Sequence, residues 1–340
     1  MALKESTGGR RITIRKVFIA GLGVIFSVGG LIYAFNDVGV SQLLDTVHRI
    51  RFWPMVFSIV SYWGVLVVAR ALLVKYLLRK MGDISWIRAY RCLGIGFLAN
   101  NILPLRMGDL ARSAALAKAV NIPFSTVVGG MALERLLDMV MVAIIGFLAL
   151  QVAPLPEQIR QFITWSGIVL GVGFVVLIVV ARTKMERNIL GQNRIGKLVW
   201  TLWIKFSAGF QALENFRGVA VVLFLGVVIW AVGLANFSLR LYSFGLPAGI
   251  DHSLVLLTCL GAAVALPSAP GYLGVYHAAA RIAVVHMAGV DESIAVAFGL
   301  YSWVMDFACG NLAGMLGMIF EGMKLGDLKR AGHLSDSTVE

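Results

Sequence analysis

Along the chain, long apolar runs alternate with short polar breaks. Six runs are about 18 residues or longer: about 17–35, 54–76, 125–150, 162–181, 218–242 and 293–320. An α-helix rises about 1.5 Å per residue, so about 20 apolar residues cross the roughly 30 Å hydrocarbon layer of a bilayer. Each run predicts a membrane-spanning helix. Two further apolar stretches, about 89–119 and 252–287, do not fit this pattern because each is broken near its middle. The first break reads Asn100-Asn101-Ile102-Leu103-Pro104-Leu105-Arg106-Met107-Gly108-Asp109, and the second Pro267-Ser268-Ala269-Pro270-Gly271-Tyr272-Leu273-Gly274. The half-segments run to about 12–16 residues, or about 18–24 Å of helix, too short to span. Proline removes a backbone donor and glycine frees the chain from helical geometry, so both stretches should turn at the breaks. The pattern predicts an all-α polytopic membrane protein of about six full spans and two broken, re-entrant helical hairpins.

Composition agrees. Of 340 residues, 59% are hydrophobic and only 14% charged, with a mean hydropathy of +0.84. A soluble domain carries about 25% charged residues. The net charge of +12 would suggest nucleic acid in a soluble protein, but here the basic residues cluster between apolar runs. With the N-terminus in the cytoplasm and each hairpin returned to its side of entry, segments 1–16, 75–91, 182–217 and 321–340 hold roughly 20 of the 30 Lys and Arg. The outer loops and outer hairpin hold Arg49, Arg51, Arg160, Arg240 and Arg281. That bias puts both termini on the cytoplasmic side of the cytoplasmic membrane and makes nucleic acid no partner. The first run follows the basic stretch Arg10, Arg11, Arg15 and Lys16 and lacks a small-x-small cleavage site, so it reads as a retained signal anchor.

The same layout sends the two hairpins in from opposite faces, as in an inverted repeat. Pro104-x-x-x-Gly108 matches Pro267-x-x-x-Gly271, Ser125 and Asp138 match Ser293 and Asp306, and Trp63 and Trp230 hold similar places before each hairpin. In the place of Arg135 the second half has Trp303. The organisation expected is a basic N-terminus over 1–16, one membrane domain over 17–325 with repeats at about 54–150 and 218–320, and a polar tail over 326–340. Residues 198–210 carry a Trp-rich apolar face, which suits either a helix lying in the interface or an ordinary structured loop.

Ionisable groups within spans are costly and mark a pathway or a site. Glu134, Arg135 and Asp138 form the densest set: Glu134 and Asp138 are four apart on one face, and Arg135 and Asp138 are three apart and able to pair. The alternative is a self-neutralising ion pair that locks two helices. Arg106, Asp109 and Arg112 follow the first break, where free helix-start amides beside two guanidiniums suit an anion such as a lipid phosphate. The alternative there is arginines that snorkel to cytoplasmic headgroups. Asn100 and Asn101 could cap the unwound backbone. At the second break, close backbone approach explains the glycines of Pro270-Gly271-Tyr272-Leu273-Gly274. Asp306 lies deep in the last run, and Arg70 is a positive residue able to neutralise an acidic group. Cys92, Cys259 and Cys309 have no metal-ligand spacing, and no nucleophile, phosphate-loop or dinucleotide motif is present, so no cofactor or metal is expected.

Taken together, Asn101-x-x-Pro104-x-Arg106-x-Gly108-Asp109-x-x-Arg112, Glu134-Arg135-x-x-Asp138 and Pro267-x-x-Pro270-Gly271-x-x-Gly274 resemble the lysylphosphatidylglycerol synthase transmembrane-region family over roughly residues 15–325. Asp109 stands where Glu is common, and Trp303 where the second half often has Arg. The resemblance implies a flippase-like domain, here without the aminoacyl-transferase half. It implies translocation of a phospholipid or polyprenyl-phosphate headgroup, anionic, aminoacylated or polyprenyl-linked, through a polar cavity near the midplane. Arg106, Arg112 and Arg135 would hold phosphate, while Glu134, Asp138 and Asp306 would hold a cationic group or couple an ion. Asn101, Pro104, Asp109, Pro267, Pro270 and Gly271 would shape the pathway. A lipid-modifying enzyme and a second copy of the chain are the protein partners to be considered. A non-enzymatic role is expected; the other readings are an intramembrane transferase using the carboxylates as acid and base, and a membrane scaffold for lipid synthesis.

Overall fold

A computed structural model describes residues 14–36, 50–103, 107–152, 215–265 and 268–324, with scattered positions in 37–49 and 153–172 and residue 326. The described residues form helices and connecting turns with no strand. Helix α1 runs Ile14–Phe35. Then come α2 (Phe52–Leu78), α3 (Trp86–Ile102), α4 (Gly108–Val120) and α5 (Phe124–Val152). The order long, short, short, long then recurs in α6 (Phe216–Ser243), α7 (Ile250–Ala265), α8 (Val275–Ala288) and α9 (Glu292–Phe320). The four long helices, α2, α5, α6 and α9, are long and apolar enough to cross a membrane. Most of the apolar run at 162–181, the segment at 182–214 with its Trp-rich face, residues 1–13 and the tail beyond 326 lie outside the described residues.

Both interrupted stretches are helix pairs, as their prolines and glycines predict. In the first, α3 begins at Ser85, whose hydroxyl accepts from the Arg88 amide, and ends at Ile102. The chain resumes helix at Gly108, whose amide donates to Asn100 Oδ1 at 2.8 Å. A side chain on the last turn of one arm thus satisfies a free amide at the start of the other. Between α7 and α8 a short 3₁₀ turn, Pro270–Tyr272, places Gly271 at φ +69°. A Cβ there would meet the Phe307 ring at 3.1 Å, so glycine answers both a backbone and a packing demand, as the sequence suggests.

The packing has the same recurrence as the element order. Helix α3 lies along α9, and its counterpart α7 lies along α5, so the first arm of each hairpin rests on the last long helix of the other half. Helices α2 and α6, the first long helix of each half, pack together. The α3–α9 seam is built from small residues. A Cβ on Gly94 would come within 2.7 Å of the Ala313 carbonyl, and Gly310 and Gly314 sit one turn apart on the facing surface of α9. Apolar lipid offers helices little hydrophobic reason to associate, so close van der Waals approach over small residues becomes the main attraction. Helix α1 packs on α8, where Ser27 Oγ accepts from the Ala269 amide at 2.7 Å and Gly30 meets the Gly274 backbone.

Replacing Gly94 by leucine should therefore separate α3 from α9 and cost about 1–3 kcal/mol. Gly226 has open space at its Cβ position, and Gly226→Ala should leave stability unchanged or slightly raised. Thermal unfolding of the two detergent-solubilised variants checks the contrast.

Candidate functional site

The charged residues singled out in the first half converge. From α2, Arg70 grips Asp138 of α5 with both ends of its guanidinium, Nη1 to Oδ2 at 3.0 Å and Nη2 to Oδ1 at 3.1 Å. The same Nη1 lies 3.1 Å from Glu134 Oε1. On that oxygen Arg112 of α4 also donates, at 3.2 Å. Arg135 spans Asp109 at 3.2 Å and Asp138 at 3.3 Å, and Asp109 lies 3.1 Å from Arg112. Three guanidiniums thus face three carboxylates across α2, α4 and α5. Glu134 is fully buried, whereas Asp109 and Arg135 are 48% and 43% exposed.

The spacing on α5 already places Glu134 and Asp138 on one face and Arg135 within reach of Asp138, and all three sit so. The self-neutralised arrangement weighed as an alternative describes the buried part of this cluster. Burying a lone ion costs several kcal/mol, and a bidentate, hydrogen-bonded partner offsets that cost most fully. Arg112 and Arg135, expected to hold phosphate, have carboxylate partners here. Pro104, Arg106 and Pro267 lie outside the described residues.

The second half contains a matching pair. Arg240 of α6 grips Asp306 of α9, Nη1 to Oδ2 at 2.8 Å and Nη2 to Oδ1 at 2.5 Å, while its Nε donates to Ser58 Oγ at 3.1 Å. Arg240 falls three residues before the end of its helix, and the sequence therefore assigns it to the outer loops; in fact it is 2% exposed. Its position close to the helix end hides the role, because a terminal arginine ordinarily extends to the interface. The available signal was its spacing: Arg240 stands to Asp306 nearly as Arg70 stands to Asp138. Arg70, noted from sequence but not placed with the site, belongs to it on the same ground.

Between the two ion-paired groups lies a cavity of about 330 Å³. Both halves line it: Tyr62, Trp63, Arg70, Asn100 and Asn101 from the first, Trp230, Asn236, Arg240, Tyr276, Trp303 and Asp306 from the second. Trp63 and Trp230, similarly placed in sequence, both reach it. On α2 the wall includes a π-helical turn, Tyr62–Leu66, an irregularity frequent at functional sites. Asn101 Nδ2 donates to Asn311 Oδ1 at 3.0 Å, tying the end of α3 to α9. Where the first half has Arg135 reaching its hairpin by charge, Trp303 reaches the second hairpin through Nε1, donating to the Gly271 carbonyl at 2.6 Å. Gly271 lines the chamber, while Pro270 beside it is exposed at the turn. No group of three or more His, Cys, Asp or Glu suited to a metal ion occurs among the described residues.

Long apolar helices around a buried ionic cluster and a largely aromatic chamber define an integral membrane protein with an interior site. The chain belongs to the lysylphosphatidylglycerol synthase TM region family, whose model matches residues 18–314 and so includes every helix from α2 to α8, most of α9 and the hairpin breaks. That membership indicates a membrane lipid-related role. No curated protein and no solved structure matches the chain.

Removing one partner of the second pair should be costly, because the other is left charged and unpaired. Arg240→Met should lower stability by about 3–5 kcal/mol, and adding Asp306→Leu should recover most of the loss. Unfolding of both single variants and the double variant in detergent gives the coupling directly; a double-variant loss equal to the sum of the two single losses would mean that the pair is not coupled.

Proposed function

We propose that the protein translocates a lipid across the cytoplasmic membrane, with the headgroup passing through the chamber between the two halves and the acyl chains remaining in the bilayer. The observation that carries this reading is the chamber itself, lined by both halves and flanked by an ion pair on each side. A static packing protein has no need to maintain an aromatic and amide-lined void beside Arg70, Arg240 and Asp306 in the interior of a bilayer. The headgroup classes that fit the family are anionic, aminoacylated and polyprenyl-linked.

In this account the two halves, about 54–150 and 218–320, form an inverted repeat, with both termini cytoplasmic and six full spans in all. The first hairpin enters from the cytoplasm and the second from outside. Three recurrences support the repeat: the order of long and short helices, the reciprocal seating of α3 on α9 and α7 on α5, and the Arg–Asp fork in each half. Alternating access would come from rocking one half against the other, so that the chamber opens first beside one hairpin and then beside the other. The exposed Arg135–Asp109 contact would release more readily than the Trp303–Gly271 hydrogen bond, which is backed by the Trp303–Phe307 stack.

The protein is proposed to be non-enzymatic. An acid–base mechanism needs a carboxyl free to exchange protons with substrate, and Glu134, Asp138 and Asp306 each accept from arginine. Membrane lipids are the proposed partners, with a lipid-modifying enzyme as the source of the substrate.

Gly261 offers a test that spares the fold. It lines the chamber, and nothing lies within 4 Å of where its Cβ would be. Gly261→Phe should fill the chamber at wild-type thermal stability. In proteoliposomes carrying fluorescent headgroup-labelled lipids, it should slow translocation at least about tenfold. Translocation at the wild-type rate through a filled chamber would move the pathway elsewhere, and an inactive wild type across all three headgroup classes would end the transport reading.

A further inference from the structure

Charge in the chamber is already committed. Both oxygens of Asp306 accept from Arg240, and both terminal nitrogens of Arg70 donate to α5 carboxylates. A bare ammonium arriving at Asp306, or a phosphate arriving at either arginine, would meet a group whose charge is already balanced by a bidentate partner, so it would gain less than at an unpaired ion. What stands uncommitted is neutral. Asn100 accepts through its carbonyl and Asn101 donates through its amide, which leaves the other end of each side chain unengaged among the described residues. The Tyr276 hydroxyl is buried in the chamber wall with no hydrogen-bond partner of normal geometry among the described residues. A buried hydroxyl left without a partner is costly, so one that lines a cavity points to a ligand that supplies it.

The rest of the wall is aromatic. Nine rings face the space, among them Trp63, Trp230 and Trp303. Flat apolar rings beside scattered neutral donors and acceptors match one headgroup chemistry well. A sugar ring offers C–H faces to lie against aromatic surfaces and hydroxyls at its rim that both donate and accept. An asparagine amide and a phenol are equally two-sided. We infer that the chamber receives an uncharged polyhydroxylated headgroup, a glycosyl group, rather than an ammonium or a phosphate. This rests on the chamber being the lipid headgroup's site, and it narrows the substrate to lipids that carry a sugar. Where the sugar is joined through a phosphate to a polyprenol, the sugar occupies the chamber and the phosphate stays outside it.

Purified full-length protein in lipid nanodiscs can be titrated with short-chain lipids while the chamber tryptophans report occupancy. The probes are glucosyl diacylglycerol, glucosyl-phosphoryl polyprenol, phosphatidylglycerol and phosphatidylcholine. Saturable quenching by one or both glucosyl probes, at affinities at least about tenfold above the other two, is the expected result; the better of the two identifies the lipid anchor. Tyr276→Phe should weaken glucosyl binding about 3- to 10-fold, a single hydrogen bond's worth, at a thermal stability close to wild type because no hydrogen bond of normal geometry holds the hydroxyl. Quenching by phosphatidylglycerol or phosphatidylcholine at equal or higher affinity, absence of quenching by either glucosyl probe, or full glucosyl affinity in Tyr276→Phe would overturn the inference. Glucosyl binding without movement across proteoliposomes would instead remove the transport reading and leave the headgroup class standing. Movement of phosphatidylglycerol without glucosyl binding would do the reverse.

Discussion

A guanidinium cannot stay charged inside a bilayer without a partner, and that constraint organises this molecule. Each half meets it in the same way: an arginine on its first long helix is held by both oxygens of an aspartate on its last, Arg70 with Asp138 and Arg240 with Asp306. A fork of this kind fixes orientation as well as distance, because two parallel hydrogen bonds tolerate little rotation. The two forks therefore link the first and last long helices of each half. Glu134 extends the first fork into a network that reaches α4 through Arg112, so the first hairpin is tied to the same charge system.

The small residues then determine how near the helices come. Along the α3–α9 seam, Gly94, Gly310 and Gly314 let backbones touch, and Gly274 does the same where α1 crosses the second hairpin. Close seams on the outside and rigid forks within leave a space at the centre, and large rings surround that space without filling it. The chamber is thus a consequence of how charge and small residues are distributed. The halves differ at one telling place. The first hairpin is reached by Arg135 through an exposed ionic contact and the second by Trp303 through a hydrogen bond and a stack.

Much of this was legible in the sequence. Proline and glycine inside apolar runs located both breaks to within a few residues, and the long runs located α2, α5, α6 and α9. The i, i+4 and i, i+3 spacings on α5 put Glu134, Arg135 and Asp138 together, because helical periodicity is a local property. The partners they choose are not local. Arg70 lies 64 residues before Glu134, and Arg240 lies 66 before Asp306; which arginine meets which carboxylate depends on helix packing that no spacing encodes. Arg240 was hidden further by standing near a helix end, where charge usually signals the membrane surface. The π turn at Tyr62–Leu66 carries neither proline nor an inserted polar residue and left no trace in the hydrophobic pattern.

Two oppositely directed hairpins closing on one chamber is the claim on which the rest depends, and the sidedness of the two breaks tests it most directly. In a background lacking Cys92, Cys259 and Cys309, single cysteines at Met107 and Ala269 can be labelled with a membrane-impermeant maleimide from either face of sealed vesicles. The account predicts that Met107→Cys reacts from the cytoplasmic face and Ala269→Cys from the opposite one. Reaction of both from the same face would contradict it.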